Sequence, residues 1–201
     1  MSGLDIMIVG VGGQGTLLAS RVIGSAATAA GYDVKVSEVH GMSQRGGSVV
    51  TYVRFGDKIA SPLVDVGCAD LILSFEQLEA ARFLGYLKPG SGIVITNEQV
   101  IDPMPVISGA QKYPDDVIPG LKKTLGERAV TLDAAGTAKR CGDIRSVNIV
   151  LLGVMAGLGL GKIDRKTWDA ALEKCVPPKS LEINRRAFAE GFKTGSERKP
   201  Q

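Results

Sequence analysis

The sequence predicts a three-layer α/β sandwich, Rossmann-like, with a mostly parallel but mixed sheet that includes an antiparallel hairpin, and a helical C-terminal third. Three observations predict it. A short apolar run, "DIMIVG", ends in a glycine turn and opens a helical stretch, as a buried parallel strand feeding a crossover does. Strand-like and helix-like segments then alternate along the chain, which places helices on both faces of one sheet. Finally, "SVVTYVRFG" alternates Val49, Thr51, Val53 and Phe55 with Val50, Tyr52 and Arg54, the period of an antiparallel strand.

Each element follows from its own signals. "QGTLLASRVIGSAATAAG" carries small and apolar residues at helical spacing, and Gly31 stops it. "YDVKVSEV" reads as the second strand. "SVVTYVRFG" is the third, and "GDK" is expected to turn it into a hairpin with "IASPLV". "CADLILSFE" is a buried strand, "EQLEAARFLGYL" a helix and "GIVITN" a further strand. Between Glu98 and Gly120 four prolines and few periodic positions predict an irregular excursion. "LKKTLGER" reads as a helix, "AVTLDA" as a strand and "AAGTAKRCG" as a short helix. Three helical segments finish the chain: "RSVNIVLLGVMAGLGLG", "DRKTWDAALEKCV" and "PKSLEINRRAFAEGF". The run "LLGVMAGLGLG" is apolar on nearly every face, so its helix is buried, either in the internal core or against a partner. The terminal "KTGSERKPQ" reads as a solvated, frayed tail. One domain over 1–195 with a polar tail at 196–201 is the expected organisation.

Composition narrows the functional classes. Hydrophobic residues at 44% and charged residues at 22% are ordinary globular values over 201 residues. Aromatics at 5% are too few for a base-stacking platform, and a net charge of +3 is mild. Neither a nucleic-acid nor a membrane partner is expected. No run approaches the roughly 18 apolar residues that span a bilayer. An export signal is not expected either, and a reduced, cytoplasmic protein is the simple reading. Cys68, Cys141 and Cys175 lie far apart, which argues against a disulfide framework, a metal site or an iron–sulfur site.

Two motifs carry chemistry. "GVGGQG" places Gly10, Gly12, Gly13, Gln14 and Gly15 between a strand and a helix, where glycines permit a tight turn and free N–H groups attract an anion. It reads either as a dinucleotide or anion cradle or as a bare strand-to-helix turn. Glu38, 23 residues after Gly15, stands about where a ribose-binding carboxylate would. The second motif is the polar loop "SEVHGMSQRGGS". His40 is a candidate acid/base, or a merely structural imidazole. Arg45 suits a carboxylate or phosphate through its guanidinium fork, or is an ordinary loop arginine. Ser43, Gln44, Gly46 and Gly47 surround it, and the two glycines also serve the turn into the next strand.

"GVGGQGTLLAS", "YDVKVSEVHGMSQRGGSVVTYVRFG", "SPLV", "ADLILSFEQLEAAR", "YLKPGSGIVITN", "VNIVLLG" and "PPKSLEINRRAFAEGF", taken in order, resemble the small, gamma-type subunit of 2-oxoacid:ferredoxin oxidoreductases, and most closely the indolepyruvate branch. The likeness runs from Ile6 to about Gly195, and the segment from Glu38 to Gly47 is its most specific part. The resemblance implies a partner: a large (alpha) subunit holding thiamine diphosphate, Mg²⁺ and ferredoxin-like [4Fe–4S] clusters, with coenzyme A as co-substrate and ferredoxin as acceptor reached through the complex. It implies oxidative decarboxylation of an aryl 2-oxoacid to an acyl-CoA, with none of those cofactors on this chain. The residues agree: "GDI" at 142–144 lacks the second glycine of a thiamine motif. The chain alone is then expected to be inert.

On this reading the loop from Glu38 to Ser48 and the turn from Gly10 to Gly15 share the C-terminal edge of the sheet, facing the large subunit. Ser43, Gln44 and Arg45 would contact substrate or CoA. The alternatives are the equivalent chain of a pyruvate, 2-oxoglutarate or branched-chain 2-oxoacid enzyme, a free-standing NAD(P)-binding reductase, and a non-catalytic scaffold.

Overall fold

A computed structural model describes residues 3–39 and 47–198. Among the described residues six strands form one sheet in the order β2-β3-β1-β4-β5-β6. They are β1 (Leu4–Val11), β2 (Asp33–Val39), β3 (Ser48–Gly56), β4 (Leu71–Ser74), β5 (Ile93–Asn97) and β6 (Ala129–Leu132). Strands β1, β4, β5 and β6 run parallel, while β3 is antiparallel to both β1 and β2. The expected mixed α/β sandwich is therefore what forms.

Alternate residues of β1 explain the layering. Ile6 and Ile8 are buried on one face, beneath α1 (Thr16–Ala29), α5 (Ala134–Cys141), α6 (Val147–Gly157), α7 (Arg165–Cys175) and α8 (Leu181–Glu197). Met7 and Val9 are buried on the other, beneath α2 (Gln77–Arg82) and α4 (Val117–Leu125); a four-residue helix, α3 (Met104–Ile107), lies between these two in sequence. Covering both faces is why the parallel strands read as unbroken apolar runs. In β3, Thr51, Val53 and Phe55 are buried while Val50, Tyr52 and Arg54 are only partly so, matching the period-two pattern.

Several expectations are corrected. The hairpin is made by β2 and β3, in register from Asp33↔Gly56 to Val39↔Val50, and not by β3 and "IASPLV". Once β3 lies between β1 and β2 both of its edges are used, so 59–64 cannot pair with it. Arg54 instead holds that segment as irregular chain, donating to the carbonyls of Ser61 (3.1 Å) and Leu63 (2.9 Å). Helix α4 starts at Val117, earlier than "LKKTLGER", because Pro119 falls in its first turn, where a missing N–H costs nothing. The long helix expected over "RSVNIVLLGVMAGLGLG" ends at Gly157, since Gly159 and Gly161 take positive φ values of 74° and 77°. At the C-terminus, α8 continues through part of the expected frayed tail to Glu197.

The packing of α6 on α8 accounts for that continuation. Every residue of α6 from Asn148 to Gly157 is buried. Gly153 and Gly157 face Gly191 and Gly195, so the two backbones touch: a Cβ at Gly153 would lie 2.3 Å from the Phe188 carbonyl oxygen, and one at Gly195 2.3 Å from that of Val154. The glycine-rich helix thus finds its close partner inside the chain. Among the described residues no helix is long and apolar enough to cross a membrane.

Candidate functional site at the C-terminal edge of the sheet

Parallel strands β1, β4, β5 and β6 end at one edge, where open α/β sheets form their ligand crevices. The glycine turn leaves β1 there. Gly13 and Gly15 adopt positive φ (96° and 83°), and an added Cβ at Gly13 would meet nothing within 4 Å, so the turn opens outward. Gly15 caps α1 without a side-chain hydrogen bond. Its carbonyl accepts from Asn148 Nδ2 (3.1 Å), which ties the turn to the start of α6.

Gln14 is the keystone of this edge. Its Oε1 accepts from the Val11 N–H at 2.7 Å, and its Nε2 donates to the Phe75 carbonyl at 3.0 Å. Asn97, at the end of β5, donates to the same Phe75 carbonyl and accepts from the Ala134 N–H. Two amides thus tie the ends of β1, β4 and β5 to the start of α5. A cleft of about 400 Å³ opens beside the turn, walled by Gly13, Leu18, Ile101, Ile144 and Asn148.

The return of the chain into β3 lies at this same edge. Ser48 pairs with Val11, and the Gly12 N–H donates to the Gly47 carbonyl at 2.9 Å. The ends of the polar loop and the glycine turn therefore meet, as the sequence predicted. His40, Ser43, Gln44, Arg45 and Gly46 lie outside the described residues. Glu38 pairs with Thr51 near the end of β2.

This geometry corrects the ribose reading of Glu38. A dinucleotide fold needs the second strand beside the first. Here β3 intervenes, so Glu38 stands two strand spacings from β1, about 10 Å. Two of the turn's N–H groups are also committed: Gly12 donates to Gly47 and Gln14 to Val11.

On the opposite side of β1 the structure gathers residues that sequence reasoning missed. A groove of about 280 Å³ is lined by Val11, Gly47, Ser48, Glu79, Arg82 and Met104. Glu76 and Glu79 are only 1% and 5% exposed. Glu76 accepts from the Glu79 N–H (2.9 Å), the Tyr113 hydroxyl (2.5 Å) and the Ile101 N–H (3.3 Å). Glu79 accepts from the Ser48 hydroxyl (2.5 Å) and pairs with Arg82 (3.3 Å). Burial holds the Glu79 carboxyl above its usual value, outweighing the Ser48 hydroxyl and Arg82, which favour the charged form; nearby Glu76 adds to the rise. Burial and the Glu76 carboxylate likewise push the Tyr113 phenol up. In sequence these carboxylates look like the solvated face of a helix, and only their position at its inward-facing first turn reveals otherwise.

The described residues do not fit a thiamine–Mg²⁺ or iron–sulfur site. Among them no group of three or more His, Cys, Asp or Glu could hold a metal ion. Asp143, in the truncated "GDI", is spent on Arg145, which holds its carboxyl below the usual range, and it also accepts from the Arg145 N–H.

Comparison with known proteins carries the identification further. Residues 5–194 match the family described as pyruvate ferredoxin/flavodoxin oxidoreductase. The chain is 42% identical to the indolepyruvate oxidoreductase subunit IorB of Thermococcus kodakarensis and 40% identical to that of Pyrococcus horikoshii, in each case over 98% of both chains. Its fold superposes with a TM-score of 0.70 on the gamma subunit of a keto/oxoacid ferredoxin oxidoreductase from Geobacter sulfurreducens, at 23% identity, covering 96% of this chain and 99% of that one. The resemblance read from the motifs is borne out: this chain belongs to the pyruvate ferredoxin/flavodoxin oxidoreductase family.

Proposed function

We infer that this chain is the small subunit of a heteromeric indolepyruvate:ferredoxin oxidoreductase, and that the complex decarboxylates and oxidises aryl 2-oxoacids to acyl-CoA in the cytoplasm. The observation that carries the substrate is the 42% identity, end to end, to a subunit named for indolepyruvate. Decarboxylation on thiamine diphosphate and electron transfer through [4Fe–4S] clusters belong, on this reading, to the large subunit, because the described residues of this chain fit neither group.

What this chain supplies is an edge. The glycine turn, the ends of the loop at Val39 and Gly47, and the groove beside Glu79 lie together at the C-terminal ends of the strands. We assign to this edge the contact with the large subunit's reacting centre or with CoA. On this reading Arg45, Ser43 and Gln44 are the candidates for recognising an anionic group of substrate or CoA. The topology disfavours the NAD(P)-reductase alternative, since it removes Glu38 from the ribose position.

The test is co-expression, without oxygen, with the adjacent large-subunit gene, followed by viologen or ferredoxin reduction with indolepyruvate against pyruvate. Activity confined to the co-expressed sample with the aryl substrate preferred is the expected result. Preference for pyruvate moves the chain to another branch of the family. Stoichiometric nicotinamide binding by the lone chain overturns the reading. Within the active complex, Arg45→Ala is expected to lower kcat/KM or CoA affinity about tenfold or more, the loss of one charge-assisted contact; unchanged turnover, CoA affinity and assembly would remove Arg45 from the site.

A further inference from the structure

We propose that Glu79 is a positioning residue for the reacting edge: with Arg82 behind it, it clamps Ser48 and thereby sets where the chain re-enters the sheet beside the glycine turn. The proposal rests on the reading of that edge as the site.

The geometry forms a continuous path. The Ser48 hydroxyl donates to Glu79 Oε2 at 2.5 Å, while the other carboxylate oxygen faces Arg82 Nε at 3.3 Å. Ser48 pairs across the ladder with Val11, and its neighbour Gly47 accepts from Gly12. Moving Ser48 therefore moves both the loop's return and the turn that begins at Gly12. Glu79 is itself fixed from behind. Its N–H donates to Glu76, and Glu76 is held by the Tyr113 hydroxyl and the Ile101 N–H, so two further chain segments converge on this short helical turn.

The energetic logic supports a specific purpose. A carboxylate that is 5% exposed is costly to bury, and nothing about a six-residue helix demands one there. An apolar side chain would fill the same space without that cost. What it could not do is accept a short hydrogen bond from Ser48. Ser48 itself is exposed and lies at the first position of β3, where the ladder alone would fray. The buried acid holds an edge residue that packing cannot hold.

The experiment uses Ser48→Ala, Glu79→Gln, Glu79→Ala and the Ser48→Ala/Glu79→Ala pair, each co-assembled with the large subunit, and measures kcat/KM for the 2-oxoacid. Trypsin cleavage after Arg45 in the full chain is followed in parallel, because that rate reports on the re-entry point without requiring any activity. The expected result is a fall in kcat/KM of about tenfold for each alanine variant, with the pair no worse than the poorer single, and faster cleavage in all three. Glu79→Gln, which keeps an acceptor for Ser48, should recover most of both. The proposal is overturned if Ser48→Ala leaves cleavage and kcat/KM at wild-type levels, or if the two alanine effects multiply independently. It is also overturned if Glu79→Gln is as impaired as Glu79→Ala in both readouts. If the complex turns over no 2-oxoacid at all, the functional reading fails, and the cleavage rates still decide whether the clamp exists.

Discussion

The α6–α8 seam and the C-terminal edge of the sheet are both tightly held, by opposite means. At the seam, four glycines let two backbones touch, and what holds them is the absence of side chains. At the edge, Gln14, Asn97, Asn148 and Glu79 reach across from one element to another, and what holds it is side-chain hydrogen bonds. A backbone-to-backbone contact carries no chemistry and tolerates no added atom. A net of polar side chains places donors and acceptors where a ligand could meet them. The first kind of region serves stability alone; the second should govern activity out of proportion to its effect on stability.

The seam gives the largest expected effect. Gly153→Val would drive new carbon atoms into the Phe188 carbonyl, 2.3 Å from the added Cβ, and the Phe192 N–H, 2.8 Å away, with only backbone to give. Overpacking of this kind costs about 3 kcal/mol or more, a fall in Tm of roughly 10 °C for a chain of this length. Thermal denaturation checks it. The comparison breaks if Gly153→Ala, a milder form, lowers turnover per folded complex.

At the edge, Gln14→Leu keeps the volume and deletes both hydrogen bonds. Buried Val11 then loses the acceptor for its N–H, a loss of about 1–3 kcal/mol by urea denaturation. Here turnover of the assembled complex should fall more than stability does, since the turn from Gly12 to Gly15 loses its side-chain tie to the ends of β1 and β4. Equal proportional losses at Gln14 and Gly153 would mean the two regions do not differ in kind.

A glycine outside both regions sharpens the same contrast by reversing its sign. Gly120 sits inside α4 with nothing within 4 Å of an added Cβ. Gly120→Ala should therefore stabilise the protein by about 0.5–1 kcal/mol, seen as a higher urea midpoint.

How much of this was legible in the sequence differs between the two regions. The strands and the turn at Gly10–Gly15 were readable, because buried parallel strands and glycine turns write themselves locally. "LLGVMAGLGLG" declared that its helix is buried, yet not against what, since its partner glycines at 191 and 195 lie in a segment that reads as an ordinary amphipathic helix. The hairpin was assigned to the wrong strands because "IASPLV" has strand composition, and only the sheet order shows that β3 has no free edge. Glu76 and Glu79 left no local signal at all. A buried acid and a solvated one look identical in sequence until the tertiary neighbours Ser48, Ile101 and Tyr113 arrive from 25 or more residues away.

The smallest expected effect concerns Glu79 and is one that only a polar region can show. Its carboxyl titrates above the usual value of 4.5 in the folded chain because burial disfavours the charge, although Ser48 and Arg82 oppose the shift. Between the unfolded and folded values the native state binds the proton that the unfolded state has already released. The group's contribution is thus fully present below pH 4.5 and is lost as pH rises through the raised folded value. Glu79→Gln removes this titration and should flatten the fall in stability with pH in the window just above 4.5, relative to wild type, when Tm is followed across that range. Gly153→Ala, which touches no ionisable group, should lower the whole curve without changing its slope there. If the two variants shift the curve in the same parallel way, Glu79 is not titrating as a buried acid. The edge would then be held, like the seam, by packing alone.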